Sequence, residues 1–261
     1  MKKIDLNECH KLLLGIAKEF DRICTKHNIP YYMLGGTMLG AIRHKGFIPW
    51  DDDMDFGVPR EHYDKLIGIL EIELPERYKC YTYNNCNYIK YPYFKITDRN
   101  TYMYDSREKS IDDMQIGVNV DIFPLDKCDP DDKNIKSIYR WIKINQMVYT
   151  KPINGGITKK IIKRLLRYIF PLNKNQIAAI IDKKITSLHQ GEYIGNLLGR
   201  WREREIIPQE WYGESCKYIF EDIQLNGFKD YDLYLKKLYK NYMELPPESK
   251  RFTHSEEIFY R

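Results

Sequence analysis

Four aspartates crowd into five positions of the stretch GFIPWDDDMDFGV (residues 46–58), directly before a run of apolar residues. From Asp53 onward, polar and apolar residues alternate, which is the pattern of a β-strand with one buried face. Asp53 and Asp55 share one face, and the opposite face is formed by Met54, Phe56 and Val58. Two like charges on one face of a half-buried strand repel each other, so the pattern predicts a strand whose acids meet a cation.

Three kinds of site would place acids here. An EF-hand calcium loop accepts Asp51, Asp53 and Asp55 at its first ligand positions, but it then needs Gly and Glu where this chain has Phe56 and His62. A solvated loop leaves the alternation with apolar residues unexplained. Magnesium or manganese explains it better, because these ions prefer oxygen ligands and keep positions open for phosphate oxygens.

A second strand of the same kind is predicted in IGVNVDIFPLD (residues 116–126). There Val118, Val120 and Ile122 point to one side and Asp121 points to the other. Asp121 therefore has the parity to complete a metal site with Asp53 and Asp55. A metal held by such acids stabilises phosphoryl transfer, because it offsets charge on the transferred group and on the leaving oxygen.

A glycine pair precedes the acids in YYMLGGTMLGAI (residues 31–42). We predict a strand, a turn at Gly35 and Gly36, and a short helix capped by Thr37. Glycines let the backbone approach a phosphate, and the N–H groups at the start of a helix point towards it. The motif is neither a P-loop nor GxGxxG, so alone it is weak evidence for a phosphate site.

The remaining pattern predicts an α+β fold. Helices are expected at 6–27 and 60–72, and YPYFKITD (91–98) and TYMYD (101–105) have the pattern of hairpin strands. From residue 131 the apolar spacing is mostly helical, in the segments 133–150, 156–170, 175–190 and 231–243. We predict a mixed-sheet catalytic core over 1–130 and a mainly helical half over 131–261 that packs on it and closes the site. Regular βαβ repeats are missing, which argues against a doubly wound sheet.

The stretch LGGTMLGAIRHKGFIPWDDDMDFGV (residues 34–58) closely resembles the signature of the LicD family. This family includes phosphocholine transferases of bacterial surface glycans and is related to fukutin-type transferases. YPYFKITDRNTYMY, IGVNVDIFPLD and YDLYLKKLYKNYMELPPESKR are also similar, whereas residues 131–200 are the least covered. The resemblance implies a nucleotidyltransferase-like fold in the core.

The resemblance also implies roles for individual residues. Mg²⁺ or Mn²⁺ would be held by Asp53, Asp55 and Asp121, and the phosphates of the donor would be met by Gly35, Gly36 and Thr37. Asp51 is a further catalytic candidate, either behind the metal ligands or bound to the metal through water, and Asp51 or Asp121 would take a proton. Asp52 has the opposite parity and is expected to be dispensable.

Other residues near these motifs are candidates for donor binding. The candidate phosphate clamps are Arg43, Lys45, Lys95 and Arg99, and each is equally well explained as a surface charge. Trp50 lies beside the acids, where its ring would stack on cytosine or on a choline cation. A role in the core is an equally simple explanation for Trp50.

Charge is unevenly distributed along the chain. The net charge is +5, but residues 131–174 hold eleven Lys and Arg against two Asp. Within this region, residues 157–170 combine an apolar stripe with adjacent basic residues, as do helices that lie on anionic membranes. A core stripe with solvated charges fits equally well, and the absence of a known reading motif argues against a nucleic-acid partner.

The sequence predicts a cytoplasmic protein that contacts the inner face of the membrane at most peripherally. The apolar part of the N-terminal stretch is interrupted by charges, and no long apolar run follows anywhere. The chain has six cysteines without a CxxC pair, which favours free thiols in a reducing compartment.

The reaction that the resemblance implies is transfer of phosphocholine, or a related phospho-alcohol, from a CDP-activated donor to a sugar hydroxyl of a cell-surface glycan or its lipid-linked precursor, with release of CMP. Lipopolysaccharide, capsule and teichoic acid are the glycan classes to consider. The same acids would also serve a nucleotidyltransferase that attacks the α-phosphate of a nucleoside triphosphate and releases pyrophosphate. A non-catalytic binding module is a third hypothesis, which the full set of metal carboxylates disfavours.

Overall fold

The structure is a computed structural model, which describes residues 2–86, 88–104, 116–149, 168, 171–188, 191–251, 253 and 257–261. The helices within these residues are α1 (Leu6–Lys26), α2 (Gly35–Arg43), α3 (Arg60–Glu73), α4 (Lys133–Tyr149), α5 (Lys174–Thr186), α6 (Gln209–Tyr212) and α7 (Tyr231–Tyr239). The strands are β1 (Tyr32–Met33), β2 (Asp55–Pro59), β3 (Tyr78–Tyr81), β4 (Phe94–Asp98), β5 (Thr101–Met103), β6 (Asn119–Cys128), β7 (Tyr193–Gly195), β8 (Ile206–Pro208), β9 (Cys216–Phe220), β10 (Ile223–Gly227) and β11 (Ile258–Tyr260).

The central sheet is mixed, with strand order β1-β2-β6-β4-β3, and β7 and β8 continue it from the far end of β6. Strands β2 and β6 run parallel, whereas β4 lies antiparallel to β6 on its other side. The register places Asp121 directly opposite both Asp55 and Lys95. Residues that are paired in this way project from the same face of a sheet, so three charged side chains meet there.

Helix α1 covers the opposite face of this sheet. Its first turn is capped by Asp5, whose side chain accepts a hydrogen bond from the Glu8 N–H at 2.8 Å. Phe20 of α1 packs on Phe56 of β2, with ring centroids 5.0 Å apart, and Tyr63 of α3 donates a hydrogen bond to the Ile122 carbonyl at 2.8 Å. The apolar residues of β2 and β6 therefore face α1 and α3, and the acids face away from them.

Several sequence predictions are confirmed in this half. The helices expected at 6–27 and 60–72 correspond to α1 and α3, and the strand predicted in IGVNVDIFPLD corresponds to β6. The alternation across residues 54–58 is also correct, because the side chains of Met54, Phe56 and Val58 are fully buried. Period-two patterns are reliable here since one face of the sheet is completely covered.

Two local predictions are wrong. Helix α2 begins at Gly35 rather than after a turn, and its N-cap is Leu34 and not Thr37, because Leu34 already donates to the Asp55 carbonyl and the chain passes directly into the helix. Strands β4 and β5 do not form a hairpin either. β4 pairs with β3 and β6, whereas β5 pairs with β11 near the C-terminus.

The α+β class is confirmed, and the second half contributes strands as well as helices. Helices α4 and α5 pack around their own apolar cluster, while β7 extends the central sheet across residue 130. The main core also includes Phe220, Leu225 and Tyr234 from the second half.

Two predictions about the second half stay predictions. One is the division at 130/131, and the other is the membrane role of residues 157–170, which lie outside the described residues apart from Tyr168. Among the described helices, none is both long and apolar enough to cross a bilayer.

Candidate active site

Four aspartates lie along one wall of a cavity of about 1110 Å³, and we call this group the acid corner: Asp51, Asp53, Asp55 and Asp121. Asp55 opens β2 and Asp121 lies in β6, directly opposite it. Asp51 and Asp53 belong to the irregular segment that leads into β2. The structure therefore brings together all four carboxylates that the sequence analysis selected.

Two backbone hydrogen bonds fix the position of Asp55. Its backbone N–H donates to the hydroxyl of Thr37 at 2.8 Å, and its carbonyl accepts from the Leu34 N–H at 2.9 Å. Burial raises the pKa of Asp55 well above its usual value, and the nearby carboxylates of Asp53 and Asp121 raise it further. Thr37 thus anchors the start of β2 from α2, which is a different contact from the helix cap that the sequence predicted.

Lys95 supplies a compensating charge at the acid corner. Its ammonium donates a hydrogen bond to Asp121, and it donates a second one to the Asn119 side chain at 2.9 Å. Burial alone would lower the pKa of Lys95, but the Asp121 carboxylate outweighs that effect and raises it. Lys95, predicted as a phosphate clamp, is therefore positioned by the acids; whether it also binds phosphate stays a prediction.

Asp51 lies against the first turn of α2. A β-carbon built on Gly36 would be only 2.7 Å from a carboxylate oxygen of Asp51, so the lack of a side chain makes room for this acid. Gly35 has a φ of +47°, a region that favours glycine, and its N–H donates to the Tyr234 hydroxyl at 2.9 Å. The glycine pair is required by the packing of the acid corner as well as by the backbone.

The other two acids of the DDDMD stretch differ in their surroundings. Asp53 is exposed and lines the cavity. Asp52 is half-buried and is not among the cavity-lining residues of the described chain. Because β2 begins only at Asp55, the predicted strand does not extend back to Asp53, and the separate roles of the four acids stay a prediction.

A divalent metal fits the chemistry of the acid corner. Across the described ranges, no three His, Cys, Asp or Glu side chains form a preassembled metal-binding group. However, the donors present are carboxylate oxygens, which magnesium and manganese prefer. Burial is the main cause of the raised pKa of Asp55, and the neighbouring carboxylates add a repulsion that a divalent ion would reduce. The residues that would hold such an ion are Asp53, Asp55 and Asp121.

The opposite side of the cavity comes from the second half of the chain. We call this surface the C-terminal wall: it comprises the cavity-lining residues of 196–205 and 239–250. Its cations are Arg200, Lys240 and Lys250, and its aromatic residues are Trp201, Tyr239 and Tyr242. The ring of Trp201 stands nearly perpendicular to that of Tyr239, with centroids 5.4 Å apart. A site with acids on one side and cations with aromatic rings on the other suits a phosphate-containing ligand with an organic head group.

Two other predicted donor-binding residues line the same cavity. Arg43 donates to the carbonyls of Tyr242 at 2.8 Å and of Glu244 at 3.3 Å, so it ties α2 to the C-terminal wall. The Trp50 ring lies beneath the guanidinium of Arg251, at 5.2 Å from its centroid. Both residues are therefore at the site, although each already has a structural partner.

Lys45 and Arg99 are not among the described residues that line the cavity. Lys45 is exposed beyond the end of α2, with its carbonyl accepting from the Glu221 N–H at 2.8 Å. Arg99 follows β4 and donates to the Glu76 carbonyl at 3.1 Å. The structure therefore gives no support to the prediction that these two cations clamp phosphate.

Two residues at or beside the cavity were not predicted from the sequence. A ring nitrogen of His10 in α1 lies 2.6 Å from the Asp51 carbonyl oxygen, and its ring stacks on Phe47 at 4.1 Å. Glu205 is a buried carboxylate in the C-terminal wall. Neither is adjacent to a recognisable motif, so only long-range packing reveals them.

The comparisons with known proteins agree with this geometry. A family model described as the nucleotidyltransferase domain of LicD, FKTN and FKRP matches residues 28–137. The lipopolysaccharide cholinephosphotransferase LicD of Haemophilus influenzae is 30% identical over 268 residues, which cover 97% of this chain and 97% of that protein. The chain belongs to the LicD family. Uncharacterized proteins of Rickettsia prowazekii and Rickettsia typhi are 47% and 41% identical over 58 residues, about a fifth of each chain.

The matched domain of this LicD family member contains the whole acid corner and Lys95. The C-terminal wall lies beyond residue 137, outside the family model but inside the region aligned with the Haemophilus protein. The acid corner is therefore matched by both the family model and the Haemophilus protein, whereas the C-terminal wall is matched by the Haemophilus protein and not by the family model.

Proposed function

We propose that the chain is a metal-dependent transferase that moves phosphocholine, or a related phospho-alcohol, from a CDP-activated donor to a sugar hydroxyl of a glycan or its lipid-linked precursor. The observation that carries the proposal is the pairing of Asp55 with Asp121 on adjacent parallel strands, beside the first turn of α2 and at the wall of a large cavity. The name of the Haemophilus relative supports choline phosphate as the transferred group and lipopolysaccharide as the kind of acceptor.

The metal in this proposal is Mg²⁺ or Mn²⁺, held by Asp53, Asp55 and Asp121. When bound, it would neutralise charge on the diphosphate of the donor and on the departing phosphate oxygen. Lys95 would remain beside Asp121 and limit the net negative charge of the site. We assign the phosphate contacts of α2 to the N–H groups of Gly36 and Thr37, because the Gly35 N–H is used by Tyr234.

The transfer is a direct displacement at the phosphorus that carries the alcohol. The acceptor hydroxyl oxygen forms the new P–O bond, the bond between this phosphorus and the bridging oxygen breaks, and CMP leaves with the electron pair. The hydroxyl proton goes to a carboxylate. Because Lys95 already donates to Asp121, Asp51 is our candidate for this base, and its backbone is held by His10.

Cations that line the cavity would bind the phosphates of the donor. Arg43 lies on the side of α2, whereas Arg200, Lys240 and Lys250 belong to the C-terminal wall. Trp50 is the candidate platform for cytosine, since its ring already accepts a guanidinium on one face. We further propose that the protein acts in the cytoplasm, where its acceptor would be assembled on the inner face of the membrane.

The experiment that tests this function is incubation of the purified protein and Mg²⁺ with CDP-choline, CDP-ribitol, CDP-glycerol, CTP or ATP, together with a glycan acceptor. Phosphorus NMR then distinguishes the products. We expect CMP from at least one CDP-alcohol and none after chelation of the metal. Pyrophosphate from a nucleoside triphosphate without any CMP would contradict the proposal and favour nucleotidyl transfer instead.

A further inference from the structure

Glu205 is a buried acid that the proposed reaction does not use. It ends a short 3₁₀ helix (Arg202–Glu205) in the C-terminal wall, and only 6% of its surface is exposed. One carboxylate oxygen accepts a hydrogen bond from the Trp201 N–H at 2.8 Å. A β-carbon built on Gly199 would lie 2.1 Å from both carboxylate oxygens, so the loop is wrapped closely around this group.

The charge of Glu205 has no ionic partner in the part of the chain that the structure describes. Burial raises the pKa of Glu205 to about 7, although hydrogen bonds from Trp201 and Asn196 oppose this shift. Other ionisable groups lie near Glu205. They are Tyr139 of α4, Tyr212 of α6, Tyr234, Lys237 and Tyr239 of α7, and Glu203 and Arg204 of its own turn. Lys237 donates to the neighbouring Ile206 carbonyl rather than to the carboxylate. An acid in such a position at a cavity wall is suited to a cationic ligand.

Aromatic rings border the same part of the cavity. Trp201 and Tyr239 meet at 82° and form a corner. The guanidinium carbons of Arg200 and Arg204 lie 6.0 and 5.7 Å from the centroid of the Trp201 ring, so this ring already takes part in cation–π contacts. Aromatic faces combined with a carboxylate are the surroundings that quaternary ammonium groups prefer.

Tyr239 connects this corner to the acid corner. A β-carbon built on Gly35 would be 3.5 Å from the Tyr239 hydroxyl and 4.0 Å from a carboxylate oxygen of Asp55, so these two groups lie on the same side of Gly35. Burial raises the pKa of the Tyr239 hydroxyl, and the negative charges of Glu205, Asp55 and Asp51 raise it further. Tyr239 therefore lies between the acid corner and Trp201.

We propose that Glu205, Trp201 and Tyr239 bind the trimethylammonium group of the donor, so that they select a CDP-alcohol with a cationic head over one with a neutral head. The proposal rests on the proposed function, because it assumes that the phosphates lie at the acid corner. It goes further by naming the residues that distinguish choline from glycerol or ribitol.

The first test needs no substitution. The dissociation constants of CDP-choline and CDP-glycerol are measured by calorimetry with Mg²⁺, without acceptor, at pH 6 and pH 8. Ionised Glu205 attracts the choline cation more strongly than neutral Glu205, and burial raises the pKa of this acid to about 7, so we expect the preference for CDP-choline to be greater at pH 8 than at pH 6. CDP-glycerol carries the same nucleotide and phosphates, so their titration cancels in the ratio. A preference that is the same at both pH values would overturn the proposal.

The second test removes the charge and keeps the hydrogen bond. Glu205→Gln can still accept from the Trp201 N–H, and we expect it to lower the affinity for CDP-choline about tenfold more than that for CDP-glycerol and to abolish the pH dependence of the ratio. Glu203→Gln is the matched control, since this exposed acid in the same turn does not line the cavity. An equal loss for both donors would mean that Glu205 serves only the shape of the loop.

A third variant covers the case in which Glu205→Gln does not fold. Trp201→Leu leaves the carboxylate in place and removes the aromatic face, and we expect it to reduce the preference for CDP-choline by about fivefold. Trp201→Leu with unchanged preference would contradict the aromatic part of the proposal. Failure of the proposed function is separate: the wild type would then release no CMP from any CDP-alcohol, whatever its relative affinity for the two donors.

Discussion

The acid corner and the C-terminal wall face each other across one cavity but are built differently. In the acid corner, Asp55 and Asp121 lie on strands whose pattern is visible in the sequence, and the register of β2 on β6 fixes this pair. The C-terminal wall comes from a loop after β7 and from the end of α7, and it depends on hydrogen bonds such as that from Trp201 to Glu205. The comparison suggests a division of labour in which the acid corner performs the reaction and the C-terminal wall selects the donor.

The largest expected effect tests the acid corner. Asp55→Asn should reduce CMP release at least about 1000-fold with every CDP-alcohol, because the metal would lose a ligand. The metal-free variant should be at least as stable as the wild type, since a half-buried carboxylate with a raised pKa is removed. Steady-state rates and thermal unfolding with and without Mg²⁺ measure both effects.

The control for this substitution is Asp52→Asn, which removes a neighbouring acid that does not line the cavity. We expect its rate to stay within about twofold of the wild type, as for most changes away from a site. Substantial activity in Asp55→Asn, or an equal loss in both variants, would mean that the Asp55–Asp121 pair has no particular role in the reaction.

The next effect distinguishes charge compensation from phosphate binding at Lys95. Lys95→Met leaves Asp121 and Asp55 without their cation, so we expect the metal-free protein to lose roughly 3 kcal/mol of unfolding free energy. Added Mg²⁺ should restore part of this stability because the metal replaces the lost charge. Chemical denaturation with and without Mg²⁺ measures the difference.

Lys79→Met is the matched control, because this lysine is exposed on the neighbouring strand β3. Its effect on stability should be within about 0.5 kcal/mol. If Lys95→Met were as stable as Lys79→Met but bound CDP-choline poorly, Lys95 would be a phosphate clamp, as the sequence analysis first proposed.

A smaller effect tests the placement of Asp51 by the glycine pair. Gly36→Ala puts a methyl group 2.7 Å from a carboxylate oxygen of Asp51, which must move aside. We expect turnover to fall about tenfold to 100-fold with little change in stability, because a displaced catalytic group is costly while the end of a side chain moves easily. Gly68→Ala in α3, where the methyl group meets nothing within 4 Å, should instead gain about 0.5–1 kcal/mol with unchanged turnover.

The smallest effect concerns the C-terminal wall. Arg200→Gln should raise KM for all CDP-alcohols about tenfold and leave kcat nearly unchanged, since a charge-assisted contact to the donor is lost outside the reacting centre. Full steady-state kinetics with CDP-choline and CDP-glycerol check this expectation. A large fall in kcat would mean that the C-terminal wall takes part in the reaction, and the division of labour would then be wrong.

Much of the acid corner was predictable because its signal is local. The alternation of polar and apolar residues predicted the buried face of β2, and Met54, Phe56 and Val58 are buried as expected, although the strand begins only at Asp55. Lys45 and Arg99 were selected for their charge and their nearness in sequence, and the fold places both outside the cavity lining. Nearness along the chain says little about position once a helix or a strand end intervenes, because each residue of a strand advances the chain by about 3.3 Å.

The sequence by itself determined the buried faces of β2 and β6, the positions of α1 and α3, and which acids are candidates for a metal, since each of these follows from a period of two or 3.6 residues. Only the tertiary structure decided that Asp121 lies opposite Asp55, that Lys95 binds Asp121, and that Glu205 lines the far side of the cavity. These contacts join residues far apart in the chain. Their register depends on how both faces of the sheet are covered, which no local pattern encodes.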